Sequence, residues 1–258
     1  MQFNQSYFSF DGRYSRQYNY KIITLEDNGF ETVFGLDRSV DKEKGVNGED
    51  VYYGESGNDM TLTVTIAKID EYNLPMKYTK EELNFITKWL FKKEYLPFEC
   101  DGLVYYVKFL KGTRWNNGAM QGYITLEMDI LNGIAYEPVR SMAIPITTEG
   151  YIQIRNDSTA VDKIYPNYEF TIKQGDTVTI LNETTTQSIT FKTLQANEKI
   201  TVDNNIKDMK SSVGLTRNVY GALSNKEWLY LANGVNKIKI TCTSCDFKIT
   251  YQNKMCLI

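Results

Sequence analysis

The residues able to do chemistry are few. Four cysteines occur, Cys100, Cys242, Cys245 and Cys256, and two of them stand as CxxC in TCTSCDF. Such a pair serves redox exchange or zinc when a tight turn brings the sulfurs together. Here the flanks KIKIT and DFKITY alternate like strand, and residues three apart on one strand face opposite sides. The expectation is therefore two separate buried or surface thiols, unless a bulge at Thr243-Ser244 reunites them. Glu127 and Asp129 lie two apart on one strand face, as an acid and a base or nucleophile would, or as a solvated sheet face. Asp203-Asn204-Asn205 has calcium-binding residue types but lacks the full loop pattern and reads as a turn. Histidine is absent, which removes Ser-His-Asp and Cys-His catalysis and mixed Cys/His zinc sites. No phosphate-loop, dinucleotide, nucleophile-elbow or zinc-protease motif occurs.

Trp228 in EWLYLANGVNKIKI poses a binding question. An exposed indole stacks on a sugar ring, and a buried one closes a sandwich edge. Galectin-type sites surround their tryptophan with histidine and arginine, and only Arg155 and Arg217 lie beyond residue 150. Packing is the expected role. The run reads as two strands about an Asn233-Gly234 turn.

These residues must be positioned by a chain rich in strand. It has 258 residues, 42% hydrophobic, with 19 tyrosines and 12 phenylalanines, a composition that favours sheets and supports a core. The net charge of −3 gives no basic field to draw nucleic acid. No apolar run approaches the roughly eighteen residues of a membrane span. The N-terminus lacks a basic start followed by an apolar stretch, so synthesis in a cytoplasm is expected.

Two domains are expected, residues 1–140 and 150–258. The divide lies in YEPVRSMAIPITTEG, which holds Pro138 and Pro145 of only 5 prolines. In the first, SYFSFDGRYS turns at Asp11-Gly12, and DMTLTVTIAKI alternates with Leu62, Val64 and Ile66 on one face. LVYYVKFLKGTRW and MQGYITLEMDILNG pair about Asn116-Asn117-Gly118. One helix is predicted over about 79–92. Thr79 and Glu82 form a capping box, and Leu83, Ile86 and Leu90 recur at helical spacing, with Phe85 and Trp89 widening the apolar arc. Lys92 and Lys93 suit its end, and Pro97 stops it. The charged, glycine-rich stretch 37–58 reads as a solvated loop, long enough to be functional. In the second domain YIQIR, YEFTIK, DTVTILN, QSITFKT, EKITVD, EWLYL, NKIKIT and DFKITY read as short antiparallel strands of a sandwich or jelly roll.

The ordered fragments SYFSFDGRYS, EELNFITKWLFKKEYLPFECDG, QGDTVTILN, LQANEKITVD and EWLYLANGVNKIKI together resemble the distal tail proteins of long-tailed, non-contractile bacteriophages, the siphoviruses. Ile86, Trp89, Leu90, Phe91 and Pro97 fall at family positions, and Trp228, Leu231, Gly234 and Asn236 match a W-x-x-L-x-x-G-x-N turn. The resemblance implies a mainly-β fold: a strand-rich N-terminal domain with one helix that forms a hexameric ring, and a galectin-like antiparallel β-sandwich. It implies a structural role without catalysis or cofactor, in the virion. The ring would join the tail tube protein to the tail-tip hub and carry receptor-binding proteins, with DNA passing through unbound. Residues 37–58, with Arg38, Tyr52 and Tyr53, are the candidate inter-subunit arm. The alternatives are a carbohydrate-binding phage adhesin acting through the sandwich, and a carboxylate glycan hydrolase.

Overall fold

The structure is a computed structural model describing residues 6–23, 38–44, 50–57, 60–116, 121–214, 218–224 and 227–256; for 38–44, 50–57, 115–116 and 121 only the backbone is described. The chain divides into two compact units, Met1–Glu137 with Met255–Ile258, and Pro138–Lys254. The divide falls between Glu137 and Pro138. Most of the 136–150 segment expected as a boundary is instead the first half of a 17-residue strand, Arg140–Asn156. Its prolines mislead because Pro145 sits within a sheet-edge strand, where a missing N–H costs no ladder bond.

The first unit contains the strands β1 (Ser9–Phe10), β2 (Arg13–Tyr14), β3 (Tyr20–Ile23), β4 (Arg38–Lys44), β5 (Asp50–Gly57), β6 (Met60–Lys68), β7 (Leu96–Cys100), β8 (Leu103–Asn116) and β9 (Gln121–Tyr136). An antiparallel sheet runs in the order β2-β1-β7-β8-β9-β6-β3. The β1–β2 turn is made by Asp11 and Gly12, both at positive φ (51° and 71°), the conformation a tight hairpin demands. The turn at Asn117-Gly118 lies outside the described residues. On β6 the predicted face, Leu62, Val64 and Ile66, is buried. Among the described residues β4 and β5 pair only with each other, so these two strands form an antiparallel hairpin where a loop is expected from the charge of 37–58. The side chains of Arg38, Tyr52 and Tyr53 lie outside the described part of that hairpin.

The helix α1 spans Lys80–Leu90. The capping box is closed: the Thr79 hydroxyl accepts from the Glu82 amide at 3.2 Å, and the Thr79 amide donates to the Glu82 carboxylate at 2.8 Å. The helix ends two residues before the expected limit. Phe91 leaves helical angles at ψ 73° and lays its ring over Gly112, where an added Cβ would meet Phe91 Cζ at 3.2 Å. Lys92 and Lys93 thus lie past the last turn. Ile86, Trp89 and Leu90 are buried. Trp89 is the hub of an aromatic cluster. It stacks on Phe8 at 5.7 Å and 9° and touches Tyr18, Tyr20 and Phe85, while its indole N–H donates to the Phe10 carbonyl at 3.0 Å.

The second unit contains β10 (Arg140–Asn156), β11 (Lys163–Ile164), β12 (Asn167–Asn182), β13 (Gln187–Phe191), β14 (Lys199–Asp203), β15 (Asp208–Ser211), β16 (Leu231–Ala232) and β17 (Gly234–Tyr251). The main sheet runs β10-β17-β12-β14-β15, with β13 on β12. β10, β12 and β17 each break register at one level, around Thr147/Thr148, Ile172–Val178 and Thr243. Below the break β14 pairs with Tyr168–Thr171, and above it β13 pairs with Val178–Asn182. Ile146, Phe170, Ile200 and Phe247 from one half share a core with Ile152, Ile180, Ile189 and Ile238 from the other. The sheet therefore folds over itself into two layers. YEFTIK with DTVTILN, and NKIKIT with DFKITY, expected as separate strands, are single strands crossing that corner. The chain is mainly β, with one α-helix among the described residues, and no helix there is long and apolar enough to cross a membrane.

Two outcomes follow. Trp89→Ala lowers the stability of the first unit by about 3–5 kcal/mol, measured by denaturant unfolding; an unchanged midpoint would refute its place in the core. Partial burial pushes the Glu82 carboxyl up, but the Lys68 ammonium at 2.6 Å and the Thr79 amide and hydroxyl outweigh it, and the net shift is downward. A lowered folded-state value means stability that is present at neutral pH and lost as pH falls below 4.5. Glu82→Gln therefore unfolds earlier than wild type at neutral pH, and the two converge in acid.

Candidate functional site

The matched residues of the second unit gather around one segment, residues 228–234. Leu231 is fully buried and Trp228 packs against the same core. The two strands expected about Asn233-Gly234 are not a hairpin. Residues 227–230 are not strand, β16 pairs with β11, and β17 pairs with β10 and β12. The physical reason is Asn236, which is buried and supplies from its side chain the hydrogen bonds a partner strand would give. Its Oδ1 accepts from the Ala232 amide at 2.9 Å, and its Nδ2 donates to the carbonyls of Ala232 at 2.7 Å and Gly234 at 3.1 Å. Gly234 takes a φ of +89°, which side-chain-bearing residues rarely adopt.

Two further buried asparagines complete the arrangement. Asn182 Nδ2 donates to the Tyr230 carbonyl at 2.8 Å and to Asn236 Oδ1 at 3.1 Å; its own Oδ1 accepts from the Thr184 amide. Asn156 Nδ2 donates to the Leu231 carbonyl at 3.1 Å, and its Oδ1 accepts from the Ser158 amide. One asparagine from each of β10, β12 and β17 thus holds the crossing backbone. Sequence reasoning found only Asn236. The signal for the others was present: Asn156 is in phase with buried Ile152 and Ile154, and Asn182 with Val178 and Ile180. A polar residue at an inward position needs a partner.

In the first unit Ile86, Trp89, Leu90 and Phe91 line one face of α1 and its exit. Pro97 is the second residue of β7, where its carbonyl accepts from the Asp11 amide at 3.0 Å. Trp89 and Leu90 are buried, whereas Ile86 and Phe91, with Leu110, Gly112 and Arg114, line an open cavity of about 360 Å³ beside the helix.

The other candidates resolve as structure. Asp129 is buried and accepts from the Tyr95 hydroxyl, and Glu127 is paired across strands with Lys111. Asp203-Asn204-Asn205 forms the β14–β15 turn: Asp203 accepts from the Asn205 amide at 3.0 Å, and Asn204 Nδ2 donates to the Pro166 carbonyl. Cys242 and Cys245 do not face opposite sides. The bulge places both inside, with sulfurs 3.2 Å apart. Among the described residues no cluster of three or more Cys, Asp or Glu is placed to hold a metal ion. Trp228 is half-buried and packs against the core.

The asparagine arrangement gives a measurable expectation. Asn236→Ala leaves the Ala232 amide and other buried groups unpaired, each costing about 1–3 kcal/mol, so unfolding of the second unit shifts by about 3 kcal/mol or more. Asn236→Asp costs a similar amount because an ionised carboxylate cannot donate. A change under about 0.5 kcal/mol for either, the scale of a neutral surface substitution, would refute the role.

Family models match nearly the whole chain: a phage tail protein N-terminal domain over residues 3–130 and a phage tail C-terminal domain over residues 134–251. No curated protein matches the sequence. Among solved structures, the SPP1 Dit (gp 19.1) protein, described as a paradigm of the hub adsorption apparatus in phages infecting Gram-positive hosts, matches at a TM-score of 0.66 and 14% identity. That match covers 95% of this chain and 98% of SPP1 Dit. A chain of the phage P2 baseplate matches at a TM-score of 0.46 and 10% identity, covering 95% and 97%. With both units matched in order along the chain and the fold of SPP1 Dit reproduced end to end, the chain belongs to the phage tail protein family and has a distal-tail-protein fold.

Proposed function

We propose that this chain is the distal tail component of a siphovirus. In this reading copies close into a homo-hexameric ring that joins the tail tube protein to the tail-tip hub and supports receptor-binding proteins. The observation carrying the proposal is the fold likeness to SPP1 Dit across both units. The role is mechanical, without catalysis or cofactor: rotational repetition presents one face of each copy to the tube and another to the hub. A chain of net charge −3 repels DNA, which suits a passage that must not retain it.

The hairpin β4–β5 supports the reading. It pairs with no other strand of its own chain among the described residues, and an isolated two-stranded ribbon is marginal in water. In a ring it reaches the neighbouring subunit as an arm, with Arg38, Tyr52 and Tyr53 as its contact residues. In this reading the first unit is the ring-forming part. The protein works in the virion, at the tail tip.

Purified protein or assembled tails imaged by negative stain, with mass measured in parallel, show six-fold rings. Removing residues 38–57 leaves each subunit folded and abolishes the ring. A single copy in virus particles would overturn the ring, and intact rings after the deletion would overturn the arm alone.

A further inference from the structure

The bulge of β17 does more than bend a sheet. Before it, Asn236, Ile238, Ile240 and Cys242 face the core; after it, Cys245, Phe247, Ile249 and Tyr251 do. The inward set changes from even to odd numbers across Thr243-Ser244. The neighbouring strands keep the bulge in place. Thr148 on β10 and Gly175 on β12 take positive φ (73° and 84°) at the same level. A Cβ on Gly175 would lie 2.4 Å from Thr243 Oγ1, so only glycine lets β12 pass so close to the bulge.

This parity change sets the Cys242 and Cys245 sulfurs 3.2 Å apart, against about 2.0 Å in a disulfide. No other cysteine belongs to this unit, since Cys100 and Cys256 are in the first. We propose that Cys242 and Cys245 form a modification site, a dithiol that a peroxide or a small disulfide-class oxidant converts to an intrachain disulfide across the bulge. Cys242, 7% exposed against 1% for Cys245, meets the oxidant first. With hydrogen peroxide its sulfur gains one oxygen as a sulfenic acid and water leaves. Cys245 sulfur then attacks the Cys242 sulfur, the S–O bond breaks, and the departing oxygen takes the Cys245 proton as a second water. Two thiols lose two electrons and peroxide gains them. Burial pushes the Cys245 thiol up, which slows attack by the reduced pair on external disulfides, and the enclosed bond, once formed, is shielded from external thiols. The bond closes the corner at which β10, β12 and β17 pass between layers. It stands whether or not the chain forms a ring.

The test uses the full chain, purified reduced, exposed folded to hydrogen peroxide or to oxidised glutathione, then denatured with iodoacetamide and examined by intact mass and peptide mapping. Expected are the loss of two hydrogens, two fewer labelled thiols and a 242–245 link, retained when Cys100 and Cys256 are both changed to Ser. Cys242→Ser and Cys245→Ser each abolish it. The oxidised wild type melts a few degrees above the reduced form. Full labelling of both cysteines after oxidation, oxygen addition without a link, or links to Cys100 or Cys256 would each overturn the proposal. The double variant carries the test should either single serine variant fail to fold.

Discussion

A buried peptide group must find a hydrogen bond, and the organisation of the second unit follows from how one segment meets that demand. Residues 228–234 bring large apolar side chains to the core without a continuous strand on either side. Hydrophobic burial draws Leu229 and Leu231 inward, worth roughly 1.5–3 kcal/mol for each such side chain. That gain would be cancelled by a few orphaned amides and carbonyls. Asn156, Asn182 and Asn236 offset the cost because a carboxamide both donates and accepts, as a peptide does. The three lie on three adjacent strands, β10, β17 and β12, so the segment also ties those strands to one another.

The first unit solves a different problem. Its helix packs on a sheet through rings, with Trp89 at the centre of contacts to Phe8, Tyr18, Tyr20 and Phe85. Aromatic side chains bury large areas with few rotatable bonds. The indole N–H, which would be costly if unpaired, finds the Phe10 carbonyl 79 residues away in the sequence. One side chain thereby fixes the N-terminal strand, the helix and the start of β3.

Local signals were legible where a local rule decides the outcome. Thr79 and Glu82 announce a helix start because both partners of the capping box lie within one turn, and the alternation of Leu62, Val64 and Ile66 gives both a strand and its buried face. What escaped depends on distant partners. Asn233-Gly234 has hairpin chemistry, but Asn236, two residues beyond the glycine, substitutes its side chain for a strand. Counting twos puts Cys242 and Cys245 on opposite faces unless a bulge intervenes, and the one inserted residue at Thr243 reverses the count. That insertion is set by Gly175 and Thr148 on other strands, which no window around the cysteines contains. The β4–β5 hairpin was hidden by its charges, since polar residues on both faces erase the period-two signal.

The corner in β10, β12 and β17 has a bearing on how this protein withstands force. Each of the three polypeptide stretches belongs to both layers, so neither layer can be peeled from the other without dragging the same covalent chain through the bend. Loosening on one side is passed to the other, and the unit should give way as a whole rather than by halves. Mechanically this amounts to a weave, in which the load on any one layer is borne by both.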